Sequence, residues 1–179
     1  MTEQQQNDPA ILLIDDVPLI LDILQDILES KNYRVIRSET GSQITEILDR
    51  EDVALVFCDV SLPDIHGVEV LRMIKQHTPE IQVVMISGQE DFSVARQVLR
   101  ERALDYLVKP FSQEEVLESV EQGFRTYRHA LNQSKARLEA QRRMADLVLL
   151  KKIGERASTG SDLQELFDLI LDSIVDSAD

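Results

Sequence analysis

Ala54-Leu55-Val56-Phe57-Cys58-Asp59 runs five apolar residues into a carboxylate, and the same pattern occurs three more times along the chain. Upstream, Ile11-Leu12-Leu13-Ile14 stops at Asp15-Asp16. Downstream, Val83-Val84-Met85-Ile86 stops at Ser87, and Leu104-Asp105-Tyr106-Leu107-Val108 stops at Lys109-Pro110. Short apolar runs separated by helix-length stretches read as buried parallel strands. In an open α/β sheet, ligands sit outside the carboxyl ends of such strands, where the strand order reverses. Three carboxylates, a hydroxyl and an ammonium therefore converge on one crevice.

Working outward, the pattern predicts strands near 10–14, 33–37, 54–58, 81–86 and 104–108. Helices are predicted near 18–30, 41–50, 67–76, 91–101 and from 112 onward. Five βα units of this length predict an α/β fold, a doubly wound five-stranded parallel sheet with helices on both faces. In the first helix Leu19, Ile20, Ile23, Leu24, Ile27 and Leu28 recur at helical spacing, and Pro18 suits its first turn. Pro63 and Gly67 bracket a loop after the third strand, and Pro79 breaks the chain before the fourth.

Composition excludes several classes. The 179 residues hold one ordinary domain and an appendage. A net charge of −14 and a pI near 4.6 argue against a nucleic-acid partner, which requires a basic face. The single cysteine, Cys58, excludes an internal disulfide framework and fits a reducing compartment. No apolar stretch approaches the roughly 18–20 residues of a membrane span. The polar, Gln-rich start carries no signal-peptide pattern, and residues 1–8 are expected to be disordered. A cytoplasmic, soluble protein with no membrane partner is the reading.

Charge marks the boundaries. Residues 1–111 carry 10 Lys/Arg against 20 Asp/Glu, residues 112–157 carry 9 against 7, and residues 158–179 carry 0 against 6. From 112 to 157 there is no proline, so one long helix continuous with the last helix of the α/β domain is expected. Ser158-Thr159-Gly160-Ser161 is then a break.

The carboxylates have a physical reason to be together. Three acids share a crevice only with a cation to offset their repulsion. Magnesium suits oxygen ligands and keeps waters that phosphate oxygens can complete. A carboxylate can also act as nucleophile and become an aspartyl-phosphate, a transfer that depends on positioning and charge stabilisation. Taken singly, each residue has a plainer reading: Asp15-Asp16 as a helix cap, Asp59 as a loop acid, Lys109 as a surface charge. Their joint placement at the ends of four strands favours the phosphoryl site.

These residues closely resemble the receiver domain of two-component response regulators, over residues 9–124. The resemblance rests on Ile14-Asp15-Asp16, on Cys58-Asp59-Val60-Ser61-Leu62-Pro63-Asp64-Ile65-His66-Gly67, on Ile86-Ser87-Gly88 and on Lys109-Pro110-Phe111. It implies a flavodoxin-like sheet of order 2-1-3-4-5. It implies that Asp59 accepts a phosphoryl group from a sensor histidine kinase or phosphotransfer protein. Asp16 and the Ser61 carbonyl would bind magnesium directly and Asp15 through water, with Asp59 also counted among the metal residues. Lys109 would pair with a phosphoryl oxygen, Ser87 would swing to the phosphoryl group, and Tyr106 would turn inward behind it. The Lys109–Pro110 bond is expected to be cis. Gly88 stands where this family usually has alanine, and Val17 where a polar residue is common; neither change removes a required group.

Other candidates read more plainly. Cys58, Met73 and Met85 suit the core, and His66, His77 and His129 suit the surface.

Past the α/β domain, Leu117, Phe124, Leu131, Leu138 and Ala145 recur as one heptad series, and Val120, Tyr127, Ser134, Gln141 and Val148 as the other. Such a repeat indicates a left-handed coiled coil. A parallel homodimer is the expectation; a helix folded back on its own domain is the alternative. Residues from about Leu149 to Asp179 resemble the opening of a GAF sensor domain, in Leu149-Leu150-Lys151-Lys152-Ile153-Gly154-Glu155-Arg156 and Asp162-Leu163-Gln164-Glu165-Leu166-Phe167, and 161–179 reads either as its truncated start or as any capped amphipathic helix. In the first case the chain is a piece of a longer protein.

Two functional classes follow. One is a phospho-switch that passes its state through a dimeric helix to an output, without an enzymatic activity beyond its own phosphorylation and dephosphorylation. The other is a magnesium-dependent phosphohydrolase using an aspartyl-phosphate. The hydrolase needs an acid two residues beyond the nucleophile, and Ser61 stands there. The switch is favoured.

Overall fold

The computed structural model describes residues 9–88 and 92–158, with side chains for all of these except 92–94 and 154–158. The expectations for 1–8 and 161–179 lie outside the described residues. Strands and helices alternate as β1 (Ala10–Ile14), α1 (Pro18–Glu29), β2 (Val35–Ser38), α2 (Ile44–Arg50), β3 (Val53–Asp59), α3 (Gly67–His77), β4 (Gln82–Ser87), α4 (Phe92–Arg100), β5 (Asp105–Val108) and α5 (Gln113–Ser158). The strands form one parallel sheet in the order β2-β1-β3-β4-β5.

Burial explains that order. Every residue of β1, β3 and β4 is buried, as inner strands covered on both faces require, whereas β2 and β5 at the edges are only partly buried. Side chains alternate between two cores. Leu12, Ile14, Val56, Cys58, Val83 and Met85 pack with Val68, Leu71, Ile74 and Val98 on one face. Ile11, Leu13, Leu55, Phe57, Val84 and Ile86 pack with Leu21, Leu24, Val116 and Val120 on the other. Phe57 is fully buried, which contributes on the order of 1.5–3 kcal/mol.

Some boundaries differ from the sequence reading. The second strand starts at Val35 because the preceding residues turn: Asn32 has φ 63°, and Tyr33 N–H returns to the Leu28 carbonyl at 3.2 Å. The helix expected from 41 starts at Ile44, since the Gly41 and Ser42 amides are held by the Asp64 carboxylate. On α1 the buried face is Leu21, Leu24 and Leu28, flanked by Ile20 and Ile27, while Leu19 and Ile23 stand exposed.

The chain divides into two compact units at Leu131. In the first, α5 packs Val116, Val120 and Tyr127 into the domain, and Phe124 stacks on Tyr33 with ring centroids 5.4 Å apart. In the second, residues 132–148 are exposed throughout. Of the heptad positions read from the sequence, Val120 and Tyr127 are buried in the domain's own core. No helix among the described residues is long and apolar enough to cross a membrane.

Candidate functional site

Strand register places the acids. Ile14 on β1 pairs with Cys58 on β3, so the next residues, Asp15 and Asp59, emerge side by side at the β1/β3 boundary, where the strand order reverses. On β4, Ser87 pairs with Val108 of β5, and the Lys109 N–H donates to the Ser87 carbonyl at 2.7 Å. The Lys109 side chain then reaches back to the acids. Its Nζ donates to Asp15 Oδ2 and to Asp59 Oδ1, each at 2.6 Å. The Lys109–Pro110 bond is cis, as expected.

The second oxygen of each acid is also bonded. Asp15 Oδ1 accepts the Val17 N–H at 2.9 Å, tying the acid to the start of α1. Asp59 Oδ2 accepts the Ser61 N–H at 2.5 Å, which folds the β3–α3 loop back over the strand end. Asp15, Asp59 and Ser87 are buried, whereas Asp16 and Ser61 are exposed at the rim. Tyr106 is half-buried against the α2–α4 core.

Burial pushes the Asp15 carboxyl above its usual range, against the hydrogen bonds from Lys109 and the Val17 amide. For Lys109 burial acts downward, but hydrogen bonds and attraction from Asp15 and Asp59 outweigh it, so the ammonium is held above its ordinary pKa. Burial, then the charges of Asp59 and Asp15, pushes the Cys58 thiol up, which leaves it an inert core group.

Two carboxylates, Asp15 and Asp59, meet the one ammonium, and Asp16 adds a third acid at the rim. No set of three or more His, Cys, Asp or Glu side chains is poised as metal ligands among the described residues; the Lys109 ammonium stands between Asp15 and Asp59. The donors are nonetheless hard oxygens with surplus charge, namely Asp15, Asp16, Asp59 and the Ser61 carbonyl, and that chemistry fits magnesium.

Residues 11–121 match the family of the response regulator receiver domain. This chain belongs to that family. The receiver is similar to the chemotaxis protein CheY of Bacillus subtilis, 30% identical over 111 residues that cover 62% of this chain and 92% of that one. It is also similar to the C4-dicarboxylate transport transcriptional regulatory protein DctD of Pseudomonas aeruginosa, 30% identical over 128 residues, 72% of this chain. The chain spans only 28% of the length of DctD. Among solved structures it matches the beryllofluoride-activated NtrC4 receiver domain dimer, with a TM-score of 0.63 and 28% identity, covering 66% of this chain and 98% of that one. The receiver therefore acts in phosphorylation-based two-component signalling.

Of the predicted site residues, the receiver brings Asp15, Asp59 and Lys109 into direct contact and sets Ser87 on the strand between Asp59 and Lys109. Asp16 and Ser61 lie at the rim. Two contributors escaped the sequence reading. Asp64 holds the β3–α3 loop by accepting the Gly41 N–H at 3.2 Å and the Ser42 N–H at 2.8 Å. His66, exposed as expected, also caps α3, its Nδ1 accepting the Val68 N–H at 3.3 Å. The Pro63–Gly67 bracket marks this loop, but its partner 22 residues upstream has no local signal. A cavity of about 480 Å³ lined by Tyr33, Asp52, Phe124 and Tyr127 opens at the opposite, amino-terminal end of the strands and holds none of the predicted site residues.

Proposed function

We propose that Asp59 is the phosphoryl acceptor of this receiver. The observation that carries the reading is the Lys109 ammonium held at 2.6 Å from both Asp15 and Asp59, on a strand end adjoining Ser87. An Asp59 carboxylate oxygen attacks the phosphorus of a phosphohistidine on a sensor histidine kinase or phosphotransfer protein. The P–O bond forms as the P–N bond breaks, and the histidine nitrogen leaves with the bonding pair. Lys109 pairs with the added phosphoryl oxygen, and Ser87 donates its hydroxyl to another. Asp15, Asp16, Asp59 and the Ser61 carbonyl would hold magnesium, which supplies positive charge against the phosphoryl oxygens.

The switch then passes from Ser87 through Tyr106 toward α5. A two-state receiver shifts only as far as its two forms differ in their affinity for the phosphoryl group, so Ser87 and Tyr106 must pack differently in each. Val17, Leu19 and Ile23, exposed apolar residues just beyond the acidic pair, suit the docking of the phosphodonor. A homodimer through α5 beyond Leu131 is the output element, and receivers of this family can pair, as the NtrC4 receiver domain does through its own domain. We place the chain in the cytoplasm. DctD is named a transcriptional regulator, yet the strongly acidic charge of this chain makes protein, not nucleic acid, the partner of these 179 residues. The phosphohydrolase reading is disfavoured, because Ser61 offers no acid and its amide is bound to Asp59.

Mass measurement after acetyl phosphate tests the assignment. The wild type should gain one phosphoryl group only with magnesium, and Asp59→Asn should gain none. Equal labelling of both proteins would overturn it.

A further inference from the structure

The amino-terminal end of the sheet, opposite the acidic crevice, holds the cavity of about 480 Å³, a size that suits a small-molecule ligand. One side of it is the last part of α5 within the receiver. Phe124, Tyr127, Arg128 and Leu131 stand at spacing i, i+3, i+4, i+7, so a single face of that helix lines the cavity. The other side is the turn before β2, with Tyr33, and the residue before β3, Asp52. Tyr33 is stacked on Phe124 with ring centroids 5.4 Å apart, and Tyr127 is only 8% exposed. The walls are therefore largely aromatic and held in place by the fold. Water alone leaves those ring faces wetted, a cost that a flat apolar occupant removes.

The charges around the cavity define the rest of the occupant. Arg34 is engaged within the fold: its guanidinium donates to the Glu51 carboxylate at 2.9 Å and to the Asp52 carbonyl at 3.1 Å. The Asp52 carboxylate receives the Tyr127 hydroxyl at a long 3.5 Å and pairs with no cation among the described residues. Arg128 donates Nε to the Phe124 carbonyl at 3.3 Å, and no carboxylate among the described residues pairs with its guanidinium. Asp52 and Arg128 are both exposed and can be reached from solvent. We propose that this cavity binds a small aromatic zwitterion of the amino-acid class, with its ring among Tyr33, Phe124 and Tyr127, its ammonium on Asp52 and its carboxylate on Arg128. A purely apolar guest forgoes both charged contacts, and a singly charged one forgoes one of them. The zwitterion braces α5 against the strand starts just where the receiver unit ends, at Leu131.

Calorimetric titration of the full chain with tryptophan, tryptamine and indolepropionate tests this, because the three share one ring and differ only in charge. Tryptophan should bind about tenfold tighter than either of the others. Asp52→Asn should remove its advantage over indolepropionate and leave indolepropionate binding unchanged. Arg128→Gln should remove its advantage over tryptamine and leave tryptamine binding unchanged. Amide exchange across 124–131 should slow when tryptophan is bound. No binding of tryptophan at millimolar concentration, equal or tighter binding of either singly charged analogue, indifference to either substitution, or binding without slower exchange across 124–131 would each overturn the proposal. Asp59 lies at the other end of the strands, so both variants should still accept a phosphoryl group from acetyl phosphate. That labelling shows that the variants are folded, and it keeps a failure here distinct from a failure of the site assignment.

Discussion

Gly67 lies so close beneath Asp59 that a Cβ there would run into the Asp59 carbonyl oxygen, with Val60 Cα and Met85 Cε each at 2.9 Å. Two of these three neighbours are backbone atoms of the strand end that carries the candidate acceptor. The loop after β3 can close only over a hydrogen atom at this point, and the Gly67 N–H seals it with a bond to the Val60 carbonyl at 2.9 Å.

Gly67→Ala should therefore displace the Asp59 backbone. A loss of about 1–3 kcal/mol is expected from overpacking, read as a lowered urea midpoint, together with slower labelling by acetyl phosphate. An unchanged midpoint and rate would contradict the close approach.

Gly88 is the contrasting case. A Cβ there meets nothing within 4 Å among the described residues, although it directly follows Ser87. Gly88→Ala should change stability by no more than about 0.5 kcal/mol and leave phosphoryl acceptance intact. Loss of folding would show that this position is crowded after all.

Asp15→Asn should stabilise the metal-free protein while weakening the proposed magnesium site. Burial is the largest influence on the Asp15 carboxyl and disfavours its charge, so a neutral isostere relieves a cost carried for function. A gain on the order of 1 kcal/mol is typical of such functional-site substitutions. Thermal melts with and without magnesium should show the variant higher without metal and insensitive to its addition. A lower melting temperature without metal would refute the account.

The Asp64 tether predicts an acid-sensitive loop. Its slight desolvation acts upward, but hydrogen bonds from the Ser42 and Gly41 amides prevail and bring the carboxyl down from 3.8 to about 2. The folded state thus binds this proton more weakly than the unfolded state. The contribution is fully present above about pH 4 and fades as pH falls toward 2. Urea midpoints of wild type and Asp64→Asn should differ by a constant amount above pH 4 and converge below it. A gap independent of pH down to 2 would remove the carboxylate from the explanation.

The two halves of the heptad pattern should respond oppositely. Val120→Ala, in the buried half, should cost the receiver about 2 kcal/mol. Leu138→Asp, at a residue 51% exposed, should leave receiver stability and phosphorylation unchanged and reduce the light-scattering mass from dimer to monomer. A wild type that is monomeric at micromolar concentration would defeat the dimer.

The sequence by itself determined the strands and the candidate chemistry. Inner parallel strands must be apolar on both faces, so β1, β3 and β4 announce themselves as unbroken runs, and what ends each run is a candidate site residue. It also determined that Pro18 opens the first helix and that 112 onward is helical. Tertiary structure alone decided the matters that depend on distant neighbours. Lys109 meets Asp15 across 94 residues and Asp59 across 50, and Asp64 meets the amides before α2, because sheet order and register, not local pattern, bring those segments together. The same holds for apolar stripes. Leu19 and Ile23 share the periodicity of the buried α1 face yet stand exposed, and Val120 and Leu138 share one heptad pattern yet only Val120 is buried. Periodicity shows that a face is apolar; what lies against that face is decided by the rest of the fold.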